Sequence, residues 1–159
     1  MAPTVRVASA ADLESLVLLA AAFRDHLGQS TPSDANLRTS IERLLKDPGT
    51  DFLLAYSAEG MPLGYVQCRY RYSLWASALE AEIEDVFVVR EVRRRGVGLH
   101  LVRCAVARAT VRACRSIGLN TNERNDGALA LYRKLGFVAE RALWHGGRQL
   151  WLQRMLGTG

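Results

Sequence analysis

Val88-Val89-Arg90-Glu91-Val92-Arg93-Arg94-Arg95-Gly96-Val97-Gly98-Leu99 joins an alternating, strand-like run to a helical one. Two glycines one residue apart let the backbone turn tightly and leave its amides uncovered. The helix that begins near Gly98 adds the partial positive charge of its N-terminus, and three successive arginines add full charges. Together these make a cradle for a pyrophosphate. The pattern is not the dinucleotide fingerprint, which needs a glycine where Leu101 stands, and the chain contains no GxxxxGK[ST] loop.

Upstream of the cradle, Thr4–Val7 reads as a short strand, and Asp12 can cap a helix running to about His26 with Leu13, Leu16, Val17, Ala20 and Phe23 or Ala21 on its apolar stripe. Asn36–Lys46 is a second helix, ended by Asp47-Pro48-Gly49. Asp51–Ser57 and Leu63–Tyr72 form an antiparallel hairpin. Ala81–Val89 is a further strand, with Glu82, Glu84, Val86 and Val88 on one face and Ile83, Asp85, Phe87 and Val89 on the other. Downstream, the helix from Gly98 runs to about Ile117, burying Val102, Val106, Ala109, Ala113 and Ile117 and turning Arg108, Arg112 and Arg115 outward. A strand at Leu119–Thr121, a helix over Asp126–Leu135 closed by Gly136, and strands at Phe137–Arg141 and Gln149–Leu156 complete the chain. The fold class is mixed α/β: a sheet antiparallel early and parallel at its centre, flanked by helices.

A chain of 159 residues and 17.6 kDa suits one domain over residues 1–159, and 49% hydrophobic with 23% charged residues excludes wholesale disorder. The longest apolar runs fall short of a membrane span, and the first residues lack the order of a signal peptide. Three cysteines (Cys68, Cys104, Cys114) and three scattered histidines give no metal spacing, so no metal is expected. The thiols read as free, in a reducing, cytoplasmic setting. Residues 1–89 carry 7 basic and 12 acidic side chains, and residues 90–159 carry 14 and 4. So basic a half suggests a polyanionic partner, either nucleic acid or a phosphorylated cofactor, or else an Arg-rich solvated helix face.

Arg93-x-x-Gly96-x-Gly98 after a strand resembles the acetyl-CoA signature Q/R-x-x-G-x-G/A of the GNAT N-acetyltransferases. Asn125-Asp126-Gly127-Ala128-Leu129-Ala130-Leu131-Tyr132-Arg133-Lys134-Leu135-Gly136-Phe137 is similar to that family's second signature, N-x-x-A-x-x-x-Y-x-x-x-G-F. Ile83-Glu84-Asp85-Val86-Phe87-Val88 resembles the corresponding strand of spermidine/spermine N-acetyltransferases. Arg90-Glu91 departs from the pattern, since many members carry a proline there.

The resemblance implies a GNAT fold and acetyl-CoA as co-substrate. The backbone of Val86, Phe87 and Val88 would pair with the pantetheine arm and polarise the thioester carbonyl. Amides from Arg93 through Arg94, Arg95, Gly96, Val97 and Gly98 to Leu99 would hold the pyrophosphate, with Asn125 a further cofactor contact or simply a helix cap. Tyr132 would protonate the departing thiolate, a transfer uphill by about 2 kcal/mol from an ordinary tyrosine. Glu84 is the candidate base, about 8 kcal/mol short of an alkylammonium unless burial, neighbouring carboxylates or a water relay assist; Glu82 is the alternative. The acidic cluster equally reads as an anchor for a cationic amine, whether small molecule or peptide. A non-catalytic acyl-CoA sensor and a basic nucleic-acid-binding domain are the rival readings. The basic block coincides with the cradle and lacks interleaved aromatics, which favours no nucleic acid and no membrane partner. A homodimer stays open.

Overall fold

The computed structural model describes residues 3–138, 143–144, 147–148, 150 and 152–156. Strands β1 (Thr4–Val7), β2 (Thr50–Tyr56), β3 (Pro62–Ser73), β4 (Ala78–Val88) and β5 (Ser116–Leu119) form one sheet in that spatial order. The first three pairings are antiparallel and β4–β5 is parallel. Helices α1 (Leu13–His26) and α2 (Asp34–Leu45) cover one face; α3 (Val97–Val111) and α4 (Asp126–Lys134) cover the other. A two-residue pair, β6 (Leu143–Trp144) with β7 (Gly147–Arg148), stands apart from the main sheet.

Local chemistry explains the elements. The Ser33 hydroxyl accepts the Asn36 amide at 3.2 Å and starts α2. Helix α1 buries Leu16 and Leu19, three residues apart on one face. Helix α3 lays Leu101, Val102, Ala105 and Ala109 on the sheet, where the two alanines allow close approach. It stops at Val111 rather than near Ile117, because Ala113 takes a left-handed φ of 57° and the Cys114 amide returns to the Ala109 carbonyl at 3.0 Å. Ala113 and Ile117 therefore leave the helix, and Ile117 joins β5, which begins three residues earlier than expected. Phe137 and Val138 are not in a strand, nor are Leu150 and residues 152–156; the rest of those two expected strands lies outside the described residues.

Two further expectations are corrected. Arg108 and Arg112 are not a solvated face: the Arg108 Nε donates to buried Asp51 at 2.8 Å, and Arg112 donates to the Pro48 carbonyl at 2.7 Å and stacks over the Tyr70 ring at 4.0 Å. Arg115 lies beyond the helix, its amide on the Leu79 carbonyl. In β4 the simple alternation fails. Ile83 pairs with Cys68 and Asp85 with Gln67, so Glu84 is the extra residue of a β-bulge. The bulge inverts the facing of every later residue in the strand. Ala81 and Ile83 point to α3, as do Val86 and Val88, whereas Phe87 points to α1 and α2.

Candidate active site

Strand β4 is paired with β3 as far as Val88, but with β5 only from Glu80 to Ile83. Beyond Ile83 the two parallel strands part, and among the described residues no strand pairs with the β5-side edge of β4. The Val89 amide donates to the Leu63 carbonyl at 3.0 Å, and the Phe87 carbonyl fills the place a Cβ on Gly64 would take. Phe87 thus spends its backbone groups on β3, and alternation turns those of Val86 and Val88 to the open edge. The Val88 carbonyl accepts the Arg93 Nε at 2.9 Å, and the same guanidinium lies 5.7 Å from the centre of the Phe87 ring.

The chain after β4 makes a single turn of 3₁₀ helix (Arg90–Val92), then reaches α3 through Arg94 at φ 65° and Gly96 at φ 84°. Among the described residues, the amides from Arg94 to Leu99 donate to no protein acceptor. Six successive free N–H groups ending on a helix N-terminus fit a pyrophosphate. Gly96 has nothing within 4 Å of a Cβ position, so the space in front of the turn is open. Gly98 sits where α3, α4 and β4 meet, 3.3 Å from Leu131 Cδ1 and 3.7 Å from Val88 Cγ2 at its Cβ position. Val97 is buried beneath the turn and Leu99 half-buried; Arg94 and Arg95 are exposed. The Arg94 guanidinium reaches the first turn of α4, 3.4 Å from the Cβ position of Gly127, and so ties the two sequence signatures together. Asn125 caps α4 through Oδ1, which accepts the Ala128 amide at 3.2 Å.

Tyr132 is half-buried, edge-on to Phe137 at 5.8 Å, and lines a groove with Leu119 and Thr121 where β5 ends. Burial pushes its hydroxyl above the ordinary tyrosine range, so it stays protonated at neutral pH. Glu84 lies on the opposite, α1/α2, face. Its Oε2 accepts from the Gln67 amide at 2.9 Å, and Arg69 stands 3.5 Å from Oε1. Burial raises the Glu84 carboxyl, against the opposing pull of Arg69 and with the help of Glu82 and Asp85. Glu82 itself is exposed and within 3.5 Å of Asn120. The bulge, invisible to a strict period of two, brings Asp85 to the Glu84 face, where it accepts the Tyr65 hydroxyl at 3.2 Å. Gln67 is a site residue that sequence reasoning missed, and Asp85, expected in the acidic cluster with Glu80, Glu82 and Glu84 but on the opposite face of the strand from Glu84, joins it; a buried glutamine opposite an acidic pair on an adjacent strand was the available signal.

The thiols offer no competing nucleophile. Burial pushes Cys68 up to about 12 and also raises Cys104 and Cys114, away from thiolate chemistry. No group of histidines, cysteines and carboxylates able to hold a metal occurs among the described residues.

Residues 17–137 match the model of the acetyltransferase (GNAT) family. The chain belongs to that family. It is an acetyltransferase, and GNAT enzymes use acetyl-CoA as co-substrate. It is 34% identical over 91 residues to an uncharacterized N-acetyltransferase of Methanocaldococcus jannaschii, a match covering 55% of this chain and 39% of that protein. It is 25% identical over 131 residues to the aminoglycoside N(6')-acetyltransferase type 1 of Salmonella typhimurium, covering 79% of this chain and 88% of the relative. The crystal structure of a ribosomal-protein-alanine N-acetyltransferase from Brucella melitensis superposes with a TM-score of 0.77 at 18% identity, over 97% of this chain and all of that one, and so shares the fold. No described helix is long and apolar enough to cross a membrane.

Proposed function

We propose that this GNAT enzyme moves an acetyl group from acetyl-CoA to the primary amine of a small molecule or peptide, by direct attack and within one domain. The observation that carries this reading is the parting of β4 and β5 beside six free amides, with a carboxylate on one face of the sheet and a protonated tyrosine on the other. The amides from Arg94 to Leu99 would bind the pyrophosphate, with Arg93, Arg94 and Arg95 supplying charge; Val86 would offer the pantetheine arm its backbone amide and carbonyl, and Val88 its amide, the Val88 carbonyl being held by Arg93. Acetyl-CoA supplies a thioester whose acyl carbon is open to a neutral amine. Glu84 would take the proton from the acceptor's ammonium, directly or through water, and its raised carboxyl narrows the gap to the amine. Tyr132 would return a proton to the departing sulfur. Three high-lying thiols support direct attack over a covalent intermediate and suit a reducing, cytoplasmic setting.

Tyr132→Phe keeps the ring and removes the hydroxyl. Thiol release from acetyl-CoA with a primary amine should show kcat lower by about 10²–10⁴-fold and KM for acetyl-CoA nearly unchanged. Unaltered kcat removes Tyr132 as the acid.

A further inference from the structure

Between α1, α2 and the sheet lies a cleft of about 300 Å³, the size of a small-ligand pocket. Its walls are mainly apolar, built from Leu16, Phe23, Ile41, Leu44, Phe52 and the ring of Tyr65, with Gln29 and Ser40 as polar exceptions. Its floor is not. Asp85 is the only carboxylate among the lining residues, and Gln67 lies beside it. Arg24 at the mouth keeps its charge on Asp25 and Asp34, at 2.8 Å and 2.6 Å. Tyr65 occupies Asp85 Oδ2, and Oδ1 has no partner among the described residues. Gln67 is only 7% exposed and gives one N–H to Glu84, while its Oε1 has no partner among the described residues. Glu80 and Glu82 stay outside the cleft, facing Ser116 and Asn120.

Neither Asp85 Oδ1 nor Gln67 Oε1 is sealed from water, so a ligand that fills the apolar cleft has to bring a donor in place of the water it displaces. A primary ammonium carries three donors and no acceptor. Asp85 is the one carboxylate that lines the cleft, and Glu84, held on Gln67 Nε2 and not among the lining residues, is taken up by the base role, which leaves one positive charge to be matched. A polyhydroxylated polycation would bring further positive charges to a cleft whose lining holds no second carboxylate.

We infer that the acceptor is an apolar monoamine, an alkyl or arylalkyl primary amine whose ammonium head rests on Asp85 and Gln67 Oε1 and whose arm lies along Phe23 and Ile41. Asp85 is then the specificity-determining residue. This rests on the amine-acetyltransferase reading given above, and the two can fail separately.

The test is calorimetric binding to the intact chain of 2-phenylethylamine, of 2-phenylethanol, which lacks only the charged head, and of the aminoglycoside kanamycin. The amine should bind at least ~10-fold more tightly than either of the others, as a charge-assisted contact in an apolar site requires. Asp85→Asn should erase the preference of amine over alcohol. Equal binding of amine and alcohol, tighter binding of kanamycin, or no binding of 2-phenylethylamine overturns the inference. Should Asp85→Asn not fold, the amine–alcohol comparison on the unaltered chain decides alone. Selective binding without any thiol release from acetyl-CoA upholds the cleft assignment and removes the transferase reading; thiol release that prefers kanamycin does the reverse.

Discussion

The two faces of the sheet are built from the same strands and do different work. Toward α3, β3 and β4 contribute Val66, Cys68, Ala81 and Ile83 to a buried cluster closed by Leu101, Val102 and Ala105. Toward α1 and α2 they contribute Tyr65 and Phe87, which pack with Phe23 and Phe52, and then a polar row of Gln67, Glu84 and Asp85. The first face is small, interdigitated and complete. The second is aromatic and leaves a cleft. The sealed face thus carries most of the stability, with Tyr132 and the amide turn at its margin, and the open face carries the carboxylates that meet the acceptor, so substitutions should separate packing from acceptor chemistry.

The largest effect expected is on the sealed face. Leu101 is fully buried, and Leu101→Ala should cost about 2–5 kcal/mol in denaturant unfolding. Below its melting point the folded variant should keep KM for the amine within about twofold, because nothing on the α1/α2 face has moved. The reverse is expected of Glu84→Gln. It should lower kcat/KM about 10²-fold and leave unfolding nearly unchanged, with the deficit shrinking as pH rises and free amine accumulates. A rise in amine KM with kcat preserved would make Glu84 an electrostatic anchor instead.

A carboxylate away from the cleft sharpens the contrast. Asp12 accepts two bonds from Arg6, at 2.8 Å and 2.6 Å, the Ser9 amide at 2.8 Å and the Tyr56 hydroxyl at 2.9 Å. The Arg6 guanidinium, chief among these partners, holds its carboxyl well below the usual range. The folded state therefore binds its proton less readily than the unfolded chain. Stability from this group is complete above the ordinary aspartate range near ~4 and drains away as pH falls toward the folded value. Asp12→Asn should lose on the order of 1–3 kcal/mol at pH 7 and show a flatter acid limb, with kcat unaltered. The smallest effect belongs to Arg69→Gln. Arg69 opposes the burial that raises Glu84, so its loss should move the acid limb of kcat/KM to higher pH without changing the plateau.

The glycine turn, the hairpin, both helix pairs and the succession of elements as far as β5 were legible from the chain because each is written in local chemistry: paired glycines, alternation, caps and apolar stripes. Three things were not. Alanine is the best helix former, so nothing at Ala113 announces that it takes a left-handed φ and ends α3 six residues early. Arg108 and Arg112 look like a solvated face until β2 brings Asp51 beneath them, a contact 57 residues distant in the chain for Arg108. The bulge in β4 depends on the register against β3, which no alternation within β4 encodes. The motif residues were found by spacing; Gln67 and Asp85 owe their place to that register.

Glu84 is an odd residue in a structure that counts by twos. Pairing the same residues with β3 in strict alternation, without the bulge, would rotate everything after Glu84 by half a turn, carrying Phe87 into the α3 core and Val86 and Val88 out over α1. Exchanging the Glu84 side chain leaves that count intact. The bulge, rather than the side chain at its apex, sets the facing of Val86, Phe87 and Val88. Segments transplanted between related enzymes to alter acceptor choice should be cut outside Gln67–Cys68 and Ile83–Asp85, so that both halves of the bulge travel together.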